Sequence, residues 1–177
     1  MLKIKKRTGI EYLTYSVIIA VGIAIDQLTK WLAVKFLSPI ETQPIIKNVL
    51  HLTYVENDGA AFGMLDDKRI LFMLPSTVMI VGMLIYLYLG YAENKMYAAS
   101  VAAIVSGGIG NMIDRIALGY VVDFIDFRLI NFAVFNGADS FVCVGAAFLM
   151  LALIRDFVKE VRAERKKAEN GDNGDDI

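Results

Sequence analysis

SGGIGNMIDRIALGYVVDFIDFRLINFAVFNGADS, running from Ser106 to Ser140, decides how this chain is read. Glycines, amides, an arginine and several carboxylates stand here between two apolar runs, each of the ~20 residues needed to cross a bilayer. At membrane depth every ionisable group is costly, so polar residues held there are candidates for function before anything else.

The wider composition fits that setting. The chain has 177 residues, 56% of them hydrophobic, and a mean hydropathy of +0.53. Its charged residues gather at the ends and between apolar blocks, which indicates one integral membrane domain over about residues 1–168 with little room for a separate soluble one. Cys143 is the only cysteine, so an intrachain disulfide is excluded; inside an apolar run it is expected to be a small core residue facing other helices. His51 is also alone, leaving no histidine cluster for a metal and no imidazole partner for a Ser or Cys nucleophile. Neither a metal, nor another cofactor, nor a nucleic acid is expected as a partner.

Upstream, Lys3, Lys5, Lys6 and Arg7 precede an apolar run from Ile10 to Ile25, the layout of a signal peptide. No convincing small-residue cleavage site follows, and the run continues as AIDQLTKWLAV, so a retained helix over about 10–34 is predicted. Asp26 and Lys30, four residues apart, can pair across one turn. From Phe36 to Arg69 the character changes. Pro39 and Pro44 break helix, and PIIKNVLHLTYV is rich in β-branched and aromatic residues. Short strands within about 40–66 are predicted outside the bilayer, because an open sheet edge cannot face lipid. Asn57-Asp58-Gly59 is a turn signal, and Ala60, Ala61 and Gly63 beyond it would allow another chain to approach closely.

Further helices are predicted over about 70–91, 96–118 and 138–158, with a loop or short amphipathic element at 119–136 and a disordered tail at 169–177. Four-residue spacing puts Gly107, Asn111 and Arg115 on one face of the third helix, looking into the protein. Four basic residues precede the first helix and six lie between Arg155 and Lys167. That bias puts both termini in the cytoplasm, with the strands, ENDGAAFG, VVDF and FNGADS at the outer face.

Asp123 and Asp139 are the carboxylates to single out. One follows the polar end of the third helix and the other opens the fourth. Two carboxylates brought together in a partly dry site share a proton, with apparent pKa values split around ~3.9. The charged one can take a proton from water while the protonated one donates to a carbonyl oxygen, as in an aspartic protease. Asn136 is placed to cap the fourth helix, whose dipole favours a negative charge at Asp139. Spacing does not choose between Asp123 and Asp126 in VVDFIDF. Asp114 and Arg115 either pair with each other or leave Arg115 free to hold a substrate carbonyl or steady an aspartate. Asn111, with donors and acceptors, suits an extended peptide backbone. A proton-coupled carrier, relaying protons through Asp26, Asp114 and Asp123, is the competing class, but would want its carboxylates nearer the midplane and usually more helices.

Five segments together carry a resemblance: DQLTKW at Asp26–Trp31, ENDGAAFG at Glu56–Gly63, GGIGNMIDR at Gly107–Arg115, VVDF at Val121–Phe124 and FNGADS at Phe135–Ser140. In this order, on a four-helix hydropathy pattern, the chain resembles bacterial lipoprotein signal peptidase, or signal peptidase II. The resemblance implies a mainly α fold of four transmembrane helices, with a small extracytoplasmic β-sheet and a short extracytoplasmic helix. It implies a metal-free aspartyl endopeptidase of the bacterial cytoplasmic membrane that acts on lipid-modified prolipoproteins and cuts just before the diacylglyceryl-modified cysteine. Apart from these substrates, membrane lipids are the expected partners and a monomer is the expected state. It assigns the catalytic roles to Asp123 and Asp139 rather than Asp126, and supporting or substrate-binding roles to Asp26, Asn57, Asn111, Arg115 and Asn136. Small residues around Gly59 and Gly63 would let an extended peptide dock beside them. Asp58 departs from the Thr or small polar residue expected at its position in many relatives.

Overall fold

In the computed structural model residues 7–59, 68–92 and 94–172 are described. Four helices, α1 (Gly9–Phe36), α2 (Lys68–Tyr88), α3 (Lys95–Ala117) and α4 (Gly137–Asp172), form the bundle. Three strands, β1 (Thr42–Ile46), β2 (Leu50–Asn57) and β3 (Val121–Asp126), form one sheet at its end. The small residues expected at 60, 61 and 63 fall outside the described residues.

Helix starts follow capping chemistry. Thr8 accepts from the Glu11 N–H at 3.2 Å while the Glu11 carboxylate accepts from the Thr8 N–H at 3.0 Å, a reciprocal box that satisfies two otherwise orphaned donors of α1. Asn94 does the same for the Tyr97 N–H of α3. By length and composition α1, α3 and α4 can cross a membrane, and the apolar part of α2, Met73–Tyr88, is shorter. Leu13, Val17, Val21 and Leu28 on α1, and Phe148, Leu151, Ile154 and Phe157 on α4, point outward. A continuous apolar surface of this kind suits lipid, not water. Of the membrane-length stretches, 44% of α3 is buried against 11% of α4. The glycine-rich α3 is therefore the central helix, packed on all three others.

Glycine sets how close the helices come. A Cβ at Gly107 would strike the Ala138 carbonyl oxygen and stand 2.8 Å from Val142 Cγ2, so α3 and the start of α4 meet almost backbone to backbone. A Cβ at Gly110 would strike Asp26 Oδ2, so the carboxylate of α1 occupies the slot that this glycine leaves.

The sheet has the order β1-β2-β3, antiparallel throughout, with Thr42 opposite Thr53, His51 opposite Asp126 and Val55 opposite Asp123. Asn48, at φ 62, turns β1 into β2. Pro44, which cannot donate to a ladder, sits beside a bulge on the edge strand β1. Leu52, Tyr54, Val122 and Phe124 pack with Ala33 and Leu37 from the end of α1. The far side of β3 is covered by Phe135, whose carbonyl accepts from the Phe124 and Ile125 N–H groups at 3.0 and 2.8 Å.

Three expectations need correction. The stretch 119–136 contains strand β3 and not simply a loop; its Val, Phe and Ile residues have strand propensity, but the partner strand lies some 65 positions earlier in the chain. Cys143 is exposed on the outward face of α4 rather than turned toward other helices. The fourth helix runs past 158 to Asp172, carried by the Lys, Arg, Glu and Ala residues that favour helix after Phe157, so the expected tail at 169–177 begins as helix and lies outside the described residues only from 173. Among the described residues, the short additional helix corresponds to a single 3-10 turn at Arg128–Ile130.

Candidate active site

Strand β3 and the first turn of α4 deliver Asp123 and Asp139 to one place because the chain between them returns to β3 at Phe135. The next residue, Asn136, is fully buried and joins the two carboxylates. Its Nδ2 donates to Asp123 Oδ1 at 2.6 Å, and its backbone N–H donates to Asp139 Oδ2 at 3.1 Å. Its Oδ1 accepts from the Asp139 N–H at 3.0 Å. Asn136 is thus the N-cap of α4, and Asp139 is the third helical residue returning the bond. This is a capping box in which both members also belong to the polar cluster.

The other oxygens are held from different elements. Asn57, at the end of β2, donates to Asp123 Oδ2 at 2.8 Å. Its own Oδ1 accepts from the Gly59 N–H at 2.9 Å, and Gly59 adopts φ 78 to present that N–H. With the carbonyl end of the amide engaged by the turn, the NH2 end must face Asp123. Asn111, on α3, donates to Asp139 Oδ1 at 2.8 Å and receives Nδ2 of Asn136 on its Oδ1 at 3.1 Å. Each of the four carboxyl oxygens thereby has a protein donor, and each keeps lone-pair capacity for water or a proton.

Asp123 is only 2% exposed. Burial pushes its carboxyl above the ordinary range, the Asn57 and Asn136 hydrogen bonds oppose the rise, and the charge of nearby Asp139 adds to it. Such a pair can keep one proton where an isolated surface aspartate would lose it. Asp126, three residues on, lives differently. Burial alone would raise it, but Arg128 Nε at 2.8 Å and Thr53 Oγ1 at 2.7 Å outweigh burial and hold it below the ordinary carboxylate range. Spacing does not distinguish the two, but their neighbours differ: Asp123 is joined to Asp139 through Asn136, and Asp126 pairs with Arg128.

Below this pair lies a second buried cluster. Lys30 Nζ is 2.9 Å from Asp26 Oδ2, 2.9 Å from Asp114 Oδ2 and 2.8 Å from Asn111 Oδ1. Asp26 Oδ1 accepts from the Ala138 N–H at 2.7 Å, and Asp114 Oδ2 accepts from the Val122 N–H at 3.1 Å. Gln27 Nε2 donates to Asp114 Oδ1 at 2.9 Å. Asp114 pairs with Lys30, so of the two readings open for Asp114 and Arg115 the ion pair between neighbours is not the one formed. Arg115 instead donates to the Asn111 carbonyl at 3.4 Å and, with Asn111, Ser76, Met83 and Val142, lines a cavity of ≈ 250 Å³ between α2, α3 and α4.

Among the predicted site residues Asp123, Asp139, Asn57, Asn111 and Asn136 are therefore connected by hydrogen bonds. Gly59 joins them directly at Asn57, Asp26 joins through Lys30, and Arg115, bonded to the Asn111 backbone, stands at the side. Lys30, Asp114 and Gln27 were not singled out as site residues, although DQLTK carried the signal: a carboxylate, an amide and an ammonium on a helix otherwise apolar enough to span a membrane.

Comparison with known proteins converges. The family described as Signal peptidase (SPase) II matches residues 18–155. The lipoprotein signal peptidase of Caldanaerobacter subterraneus subsp. tengcongensis is 53% identical over 138 residues, covering 78% of this chain and 94% of the relative. That of Halothermothrix orenii is 46% identical over 137 residues, covering 77% and 92%. A solved bacterial membrane enzyme superposes with a TM-score of 0.73 at 28% identity, covering 81% of this chain and 94% of the other.

Proposed function

The chain belongs to the signal peptidase II family, and from that premise we propose that Asp123 and Asp139 form the aspartic dyad of the peptidase. The protein is a bacterial membrane peptidase that removes signal peptides from prolipoproteins. The observation that carries the proposed mechanism is the bridge of Asn136 across both carboxylates.

In the resting enzyme the dyad holds one proton. It is placed on Asp123, whose burial favours the neutral form, while Asp139 receives N–H donors on both oxygens at the start of α4. Water between them gives a proton to Asp139 as its oxygen attacks the scissile carbonyl carbon. Asp123 donates its proton to the carbonyl oxygen, which forms a neutral gem-diol. Collapse breaks the C–N bond: Asp139 passes its proton to the leaving nitrogen and Asp123 recovers one from the diol hydroxyl. One water is consumed and the dyad is returned to its starting state, with no covalent intermediate.

The bond cut is the one before the lipid-modified cysteine. Asn111 and Arg115 meet the substrate backbone along the cavity between α2, α3 and α4, and Gly59 takes part from the turn whose N–H holds Asn57 against Asp123. The basic residues flanking α1 and ending α4 support cytoplasmic termini, with the sheet and the dyad toward the outer face and a single chain sufficing for the site. The test is cleavage of a lipid-modified precursor by purified Asp123→Asn and Asp139→Asn proteins in detergent, with thermal melts to verify folding. Both folded variants are expected to release no signal peptide, and substantial turnover by either would refute the dyad.

A further inference from the structure

We propose that Lys30 is a positioning residue for the dyad, a strap that fixes the separation of the two aspartates through the backbone preceding each of them. The inference rests on the dyad assigned above and adds the device that sets its geometry. Asp26 takes the N–H of Ala138, the residue immediately before Asp139, at 2.7 Å. Asp114 takes the N–H of Val122, the residue immediately before Asp123, at 3.1 Å. Lys30 Nζ lies 2.9 Å from both of those carboxylates, so β3 and the start of α4 are tied to a single ammonium group.

A third contact reaches the dyad more directly. Lys30 Nζ donates to Asn111 Oδ1 at 2.8 Å, which turns the NH2 of the same amide toward Asp139 Oδ1 at 2.8 Å. Were the Asn111 amide reversed, its NH2 would meet the ammonium and its oxygen would meet the carboxylate, so one charged donor fixes the orientation. Lys30 is 3% exposed and Asp26 fully buried, and the slot that admits the Asp26 carboxylate exists only because residue 110 is glycine. The charged groups around Lys30 are Asp26 on α1 and Asp114 on α3, with Asp139 on α4 one amide away and Asp123 on β3 two amides away.

Removing the ammonium alone would strand two buried carboxylates, so the test uses Lys30→Met/Asp114→Asn, which preserves the cluster's net charge, with Asp114→Asn alone as control. Both are assayed on a lipid-modified precursor for kcat, KM and the pH dependence of kcat. The double variant is expected to keep KM within about twofold and lose roughly tenfold or more in kcat relative to the control, as a slightly misplaced reacting group does. Its alkaline limb should move to higher pH, because Lys30 is one of the charges that hold Asp123 down. A kcat equal to the control with an unmoved limb would overturn the strap. Should the double variant not fold, Lys30→Arg keeps the charge but not the point geometry. It is expected to leave the limb in place while kcat falls about fivefold or more, and a wild-type kcat there would overturn the proposal equally. Turnover by Asp123→Asn would instead indict the dyad itself, whatever the Lys30 variants do.

Discussion

Truncating Asn136 to alanine removes three hydrogen bonds at once, and the contacts allow the effect to be divided. As N-cap, the Oδ1 bond to the Asp139 N–H is worth about 1 kcal/mol of stability. The 2.6 Å bond from Nδ2 to Asp123 is to a carboxyl group, where loss costs about 1.5–3 kcal/mol. At 1.36 kcal/mol per factor of ten, that second loss, if felt in the transition state, lowers kcat/KM by roughly 10- to 150-fold. The bond from Asn136 is among those that oppose the upward displacement of Asp123, so its removal moves Asp123 further up and carries the alkaline limb of the pH profile to higher pH. Asn136→Ser separates the two contributions, since serine caps well but its hydroxyl is too short to reach Asp123. It should melt above Asn136→Ala by about the cap's contribution and cleave as poorly. The assay is initial-rate cleavage of a lipid-modified precursor across pH in detergent, paired with thermal melts. Cleavage by Asn136→Ala within about threefold of wild type with an unmoved limb would refute the bridging role.

Two other substitutions probe the surroundings. Asp126→Asn breaks a partly exposed pair with Arg128, worth no more than about 1 kcal/mol, and should leave kcat/KM within about twofold of wild type; a collapse of turnover in folded protein would reopen the choice between Asp123 and Asp126. Gly107→Ala puts a methyl group against the Ala138 carbonyl and should destabilise the bundle by about 1–3 kcal/mol, read as a lower melting temperature with cleavage falling alongside because Ala138 adjoins Asp139; an unchanged melt would show that α3 and α4 can separate freely.

What the sequence made legible was what is local. Four long apolar stretches, the strand-rich block at 40–66 and the turn at Asn57-Asp58-Gly59 follow from composition and period, and the Asp26–Lys30 pair follows from four-residue spacing. Asn136 as a cap could be anticipated for the same reason. Pairing between distant segments was not visible. Nothing near Val121 announces that it will lie beside Asn57, so β3 was missed. Spacing alone could not separate Asp123 from Asp126; the resemblance did, and the contacts that distinguish them come from Asn136, Thr53 and Arg128. The adjacency of Asp114 and Arg115 left their pairing open, and helix geometry separates them: consecutive residues diverge by about 100° around the axis, so Asp114 faces α1 and Lys30 while Arg115 faces the cavity.

The buried cluster behind the proposed dyad also bears on why charge is kept there at all. Replacing a buried ion pair with apolar residues of similar volume is often neutral or stabilising, so holding α1 to α3 does not by itself explain Asp26, Lys30 and Asp114. Leucines could pack those helices. What leucines cannot do is accept the N–H groups of Ala138 and Val122, both of which lie beyond helical or ladder pairing at the points where α4 begins and β3 emerges. Once two carboxylates serve those N–H groups in an apolar bundle, a cation must stand between them, and Lys30 is within 3 Å of both. On this argument the charges follow from the need to satisfy two backbone N–H groups, at the second residue of α4 and the second residue of β3. The expense at membrane depth is tolerated because those positions carry Asp123 and Asp139.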